Sequence, residues 1–99
     1  MPTYKIELFP EAKDDILELD NRARVLVFKQ LKKIERSPEL GELLGSKAGY
    51  ELSRCRKMYA DNKRIRIVYR IIEDKIIIEV IAIGERDDMA VYKTASDRL

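Results

Sequence analysis

The sequence predicts a two-layer α+β domain: an N-terminal strand, a two-helix hairpin packed on an antiparallel sheet, and a short C-terminal helical turn. Three observations point to it. Residues 4–9 alternate apolar and polar. Two stretches between residues 10 and 36 repeat apolar residues at helical spacing. Residues 50–83 hold three strand-like runs divided by turns. With 99 residues, 45 % of them apolar, the chain suffices for one domain spanning 1–99 with one small core.

In the first strand, Tyr4, Ile6 and Leu8 face one way and Lys5 and Glu7 the other, the mark of a half-buried strand. Pro10 suits the first position of a helix, where its missing N–H is not needed. Glu11, Asp14 and Asp15 follow at the positive end of the helix dipole. Ala12, Ile16 and Leu19 point to the core, and this helix ends near Asp20–Asn21. Asn21 caps the second helix. Its predicted apolar stripe is Val25, Phe28, Leu31 and Ile34, with Val27. Arg22, Arg24, Lys29, Lys32, Lys33 and Arg36 occupy the other face, and Ser37–Pro38 stops the helix.

Residues 38–49, with Gly41, Gly45 and Gly49, read as a loop that Leu40, Leu43 and Leu44 pin to the core. The first strand of a meander runs from Tyr50 to about Tyr59, and the second from Arg64 to Ile72. Ile65, Ile67, Tyr69 and Ile71 share one face of that second strand; Arg64, Arg66, Val68 and Arg70 share the other. Glu73–Asp74–Lys75 is a turn. Ile76 to Ile83 is the third strand, β-branched and therefore central or well covered. Gly84 ends it, and a helical turn is expected from about Val91 to Arg98.

Twenty basic and eighteen acidic residues leave a net charge of +2, but the distribution is uneven. Lys47 to Arg70 holds eight basic residues against two acidic, a local +6, so the remainder carries −4. A positive field of this kind on one face attracts RNA or DNA. The plainer alternative is a solvated, charge-rich sheet. The single cysteine, Cys55, excludes an intramolecular disulfide, and with no histidine it excludes a Cys/His zinc site within the chain. No carboxylate spacing suggests magnesium, and no cofactor is implied. The polar N-terminus does not read as a secretory signal, and no run approaches the roughly 20 apolar residues of a membrane span. A cytoplasmic protein is the expectation.

If the two helices cover the isoleucine face, Arg64, Arg66 and Arg70 line an open face as donors for phosphate oxygens. Arg54 and Arg56, which alternate around Cys55 on the neighbouring strand, are expected to join them, with Lys57 beside them. Cross-strand pairing with Glu51 and Glu79 is the alternative, but there are more arginines than such acids. A second cluster, Gly84-Glu85-Arg86-Asp87-Asp88 with Tyr92, follows the end of the central strand, which fixes its position. Cys55 has no histidine to activate it and reads as structural. Met58, Met89, Tyr4, Tyr50 and Tyr69 read as packing.

The run Arg66-Ile67-Val68-Tyr69, the isoleucine-rich strand, Ile83-Gly84-Glu85-Arg86 and Val91-Tyr92 together resemble the C-terminal half of RelE-like toxins of the RelE/ParE superfamily. The resemblance extends over most of the chain, through the Leu44-Gly45 loop to the closing Arg98-Leu99. It implies a toxin that enters the ribosomal A site and cuts messenger RNA. There the RNA's own 2′-hydroxyl attacks the adjacent phosphate and leaves a 2′,3′-cyclic end. By position it assigns catalytic roles to Arg66, Arg86 and Tyr92, and RNA binding to Arg54, Arg56, Lys57, Arg64 and Arg70. Fixed arginines suit the extra negative charge of a phosphorane. A tyrosine, with an ordinary pKa of about 10, acts as a base only where cations lower it.

RelE-like enzymes also place two lysines, two positions apart, on the first strand of the meander. Counting from Tyr50 puts Glu51 and Ser53 there; a slightly extended hairpin puts Arg54 and Arg56 there and turns Cys55 inward, the preferred register. Two other functions stay open: a ParE-like inhibitor of DNA gyrase, and an inactive module whose basic face binds a partner. Either toxin reading implies a cognate antitoxin, whose amphipathic helix or strand wraps the basic face or displaces the C-terminal turn. A homodimer or a toxin–antitoxin hetero-oligomer is compatible with each.

Overall fold

A computed structural model of the chain describes residues 3–47, 49–85 and 90–99. The chain runs β1 (Lys5–Leu8), α1 (Pro10–Leu17), α2 (Asn21–Arg36), a 3₁₀ turn (Pro38–Leu40), β2 (Glu42–Lys47), β3 (Tyr50–Ala60), β4 (Ile65–Ile72), a 3₁₀ turn (Glu73–Lys75), β5 (Ile77–Glu85) and α3 (Ala90–Arg98). The five strands form one sheet in the order β1-β5-β4-β3-β2. β2 to β5 pair antiparallel, as the meander requires, while β1 lies parallel to β5.

The helical hairpin forms as its termini direct. Pro10 opens α1. Arg24 of α2 donates to the carbonyls of Ile16 and Leu17, supplying partners for the last turn of α1. The capping residue of α2 is Asp20, one position before the expected Asn21; its carboxylate accepts from the Ala23 N–H at 2.8 Å. The buried stripe of α2 is Ala23, Val27, Leu31 and Ile34. Val25 and Phe28, expected in that stripe, are about half exposed. Each residue turns a helix by about 100°, so a row built on Ala23 and Val27 leaves Val25 and Phe28 outside it.

Two further expectations change. The segment expected to be a loop contains the edge strand β2, held by pairing with β3 rather than by its own pattern. Of the three leucines meant to pin it, only Leu44 is buried; Leu40 and Leu43 are largely exposed. The anchoring comes instead from Tyr69, whose hydroxyl donates to the Pro38 carbonyl at 2.6 Å and accepts from the Gly41 N–H at 2.9 Å. Gly41 lies so close to this hydroxyl and to the Lys57 carbonyl that a Cβ would collide with both. Its backbone is extended, so alanine there is opposed by space alone. We expect Gly41→Ala to cost about 1–3 kcal/mol in urea unfolding. An unchanged midpoint would mean the approach is not tight.

There are two cores, one on each face of the sheet. α1 and α2 close the first with Ile65, Ile67, Tyr69, Ile78, Val80 and Ile83. The expected C-terminal turn is the nine-residue helix α3, which closes the second with Leu52, Cys55, Val68, Ile81 and Ala82. Two bulges feed this second core. In β5 the register slips between Val68 and Tyr69, so that Ile81 and Ala82 both face α3. In β3 five residues from Leu52 to Arg56 oppose three from Gly45 to Leu43, and Leu52 and Cys55 both face α3. The face expected to be open is therefore partly covered, and Val68 is fully buried there. Among the described residues no helix is long and apolar enough to cross a membrane.

Candidate active site

The β3–β4 register decides which cations share a face. Tyr59 pairs with Arg66, Lys57 with Val68 and Cys55 with Arg70, so these six side chains share the α3 side. Arg56 pairs with Tyr69 on the opposite side. Its guanidinium is occupied by the carbonyl of Gly41 at 2.7 Å and that of Glu39 at 3.3 Å. The preferred register, with Arg54 and Arg56 on the arginine face, is thus corrected. The bulge around Ser53–Cys55 resets the alternation, and Cys55 lies buried on the α3 side. Burial pushes its thiol pKa up, with Arg70 opposing.

What the fold brings together is Lys57, Tyr59, Arg66 and Tyr92. Arg66 is 6 % exposed, and Tyr92 is fully buried. The guanidinium carbon of Arg66 lies 4.8 Å from the centroid of the Tyr92 ring and 5.9 Å from that of Tyr59. Both distances are those of cation–π contacts. The Lys57 ammonium donates to the Tyr59 hydroxyl at 3.0 Å and lies 4.8 Å from its ring; Lys63 lies 5.8 Å from the same ring. The Tyr92 hydroxyl, sealed under α3, has no hydrogen-bond partner among the described residues.

The electrostatics follow the geometry. The hydrogen bond from Lys57 is the largest cause holding the Tyr59 phenol below its ordinary pKa; the charge of Lys57 and a hydrogen bond from Arg66 add to it, while desolvation opposes. The same hydrogen bond raises the pKa of Lys57. Among the described residues, Glu42 on the edge strand lies 3.9 Å from the Lys57 ammonium.

The other expected residues lie apart from this cluster. Arg54 is exposed on the bulge and lines a shallow pocket with Arg70 and Leu99. Arg70 pairs with Glu79 at 2.7 Å, the cross-strand alternative weighed above. Arg64 pairs with Asp61 at 3.0 Å and lies 3.9 Å from Glu85. Arg86 falls outside the described residues. Among those described, no group of three His, Cys, Asp or Glu side chains is placed to hold a metal ion.

Tyr59 was the residue the sequence reading missed. Its signal was the turn. Pairing the hairpin outward from residues 61–64 puts Ala60 opposite Ile65 and Tyr59 opposite Arg66. Counting forward from Tyr50 runs through the bulge and arrives on the wrong face.

Comparison with known proteins agrees with this architecture. The family model described as the ParE toxin of type II toxin–antitoxin systems, parDE, matches residues 6–90. An Escherichia coli protein named as a RelE-like toxin is 31 % identical over 98 residues, 97 % of each chain. The free state of an arginine-substituted mutant of E. coli RelE matches with a TM-score of 0.80 at 25 % identity, covering 99 % of each chain. The toxin–antitoxin complex RelBE2 of Mycobacterium tuberculosis contributes a chain with a TM-score of 0.72 at 21 % identity, covering 86 % of this chain and 100 % of that one, a likeness of fold alone.

Proposed function

The chain belongs to the RelE/ParE superfamily of toxins from type II toxin–antitoxin systems, and from that premise we propose that it is a ribosome-dependent endoribonuclease cutting messenger RNA in the A site. The observation that carries this reading is the guanidinium of Arg66, fixed between two tyrosine rings on a face shared with Lys57. A phosphate undergoing attack by a 2′-hydroxyl gains negative charge on its equatorial oxygens. A guanidinium held before the reaction stabilises that charge without reorganising. In this reading Arg66 binds the phosphorane and Tyr92, stacked at 4.8 Å, holds the guanidinium plane. Arg86, one residue beyond β5, supplies a second cation, and Arg54, Lys57, Arg64 and Arg70 bind flanking phosphates.

A cognate antitoxin is the expected partner. Similar chains have been solved with one, including E. coli RelE in the RelBE complex and RelE bound to a RelB peptide. The ribosome and its messenger are the proposed targets, which places the protein in the cytoplasm. Gyrase inhibition is the second reading, favoured by the match to the ParE family model.

The test is translation-coupled cleavage. Purified protein is added to ribosomes stalled on a defined message, with free RNA as control, and the cuts are mapped by primer extension. Cuts in the A-site codon only when ribosomes are present are expected. Intact message from folded protein, together with inhibition of gyrase supercoiling, would overturn the reading in favour of the second.

A further inference from the structure

We propose that Tyr59 is the general base of the cleavage reaction, taking the proton of the attacking 2′-hydroxyl while Lys57 protonates the leaving oxygen. This rests on the RNA-cleavage reading above and goes beyond it, since that reading leaves the proton transfers without an owner. Arginine holds its proton too tightly to serve as the acid or the base. Tyr92 is poorly placed for the task, because its hydroxyl lies fully buried beneath α3.

Tyr59 differs on each point. Its side chain is half-buried, not sealed. Its hydroxyl accepts from an ammonium at 3.0 Å, and its register partner is Arg66, the residue assigned to the phosphate. A substrate phosphate held by Arg66 is thus within one cross-strand spacing of the phenol.

Among the described residues, the groups facing Tyr59 include Lys57 from its own strand, Arg66 from β4, Lys63 from the turn and Tyr92 from α3 beyond Arg66, with Glu42 behind Lys57. The neighbouring cations favour the phenolate.

The step balances within the dyad. The phenolate of Tyr59 takes the proton from the 2′-oxygen as that oxygen bonds to phosphorus. The bond from phosphorus to the 5′-oxygen breaks, and the Lys57 ammonium gives that oxygen a proton. Tyr59 is left neutral and protonated, Lys57 neutral and deprotonated. Passage of one proton from Tyr59 to Lys57 along their 3.0 Å hydrogen bond restores the starting pair. No outside oxidant, reductant or metal is needed.

The experiment is single-turnover cleavage on stalled ribosomes across pH 6 to 8.5, for the wild type, Tyr59→Phe and Tyr92→Phe. A base that must be ionised gives a rate that rises with pH up to its folded pKa, here below the ordinary value of about 10. We expect Tyr59→Phe to lose about 10²- to 10⁴-fold and the rising limb with it. Tyr92→Phe should keep the limb. A fluorotyrosine at position 59, with a more acidic phenol, should move the limb to lower pH, a response that a packing role does not produce. Wild-type cleavage with an unchanged rate and limb in Tyr59→Phe would overturn the proposal and leave the nuclease reading standing. No cleavage by the wild type would overturn both.

Discussion

Replacing Asp15 by alanine is expected to destabilise the domain by about 3 kcal/mol in urea unfolding, with the C-terminal helix released first. Asp15 joins three elements. One oxygen accepts from the Ile83 N–H at 3.0 Å and from Arg98 at 2.7 Å; the other accepts from Arg98 at 3.1 Å. Arg98 also donates to the Ile81 carbonyl at 2.8 Å. The carboxylate of α1 therefore holds the end of α3 and the bulged part of β5 in one network. Both side chains are about 15 % exposed, so the pair is neither screened like a surface bridge nor wholly desolvated. Removing the carboxylate strands a mostly buried guanidinium and a backbone donor together. Asp15→Asn keeps an acceptor for the Ile83 N–H and should lose roughly half as much. Hydrogen exchange should show α3 opening before the sheet in both variants. A loss below about 1 kcal/mol in Asp15→Ala would place the pair among ordinary surface bridges.

This latch also marks what the sequence could and could not disclose. Asp15 was legible as a helix-start acid, and Arg98 as part of a closing turn; nothing local joins residues 83 positions apart. The helical hairpin and the three long strands were readable because their signals repeat within a few residues. β2 was not, since Gly45 and Ser46 interrupt its pattern and only pairing with β3 makes it a strand. The bulges mattered most for the site. Alternation assumes an unbroken period of two, and each bulge inverts it. The bulge near Cys55 moved Arg56 to the helical-hairpin face, where it binds two carbonyls. It brought Lys57 and Tyr59 to the face of Arg66 instead. The depth of Tyr92 was hidden for a similar reason. α3 covers a patch that Ile81 and Ala82 jointly create, and only the slip at Val68 lets both face it.

Arg66→Ala is expected to lose about 10²- to 10³-fold in cleavage rate, the usual cost of deleting one preorganised donor to a developing anion. The alternative is that Arg66 only packs between the rings. Arg66→Lys separates the two. Lysine keeps the charge but has neither the planar fork nor the stacking surface of a guanidinium. Between the rings of Tyr59 and Tyr92 it cannot present two donors in a fixed plane. A transition-state role therefore predicts that lysine recovers little of the rate, with ribosome affinity close to that of the wild type. If charge at this position serves only to hold RNA, lysine should restore most of the activity, and the loss in Arg66→Ala should appear as weaker, more salt-sensitive binding. Both variants need a folding control, because the side chain is 6 % exposed and supports the second core through Tyr92. A cooperative melt with an unchanged far-ultraviolet spectrum suffices. Full cleavage by folded Arg66→Ala would remove the residue from the site and leave the cationic face of the sheet without its centre.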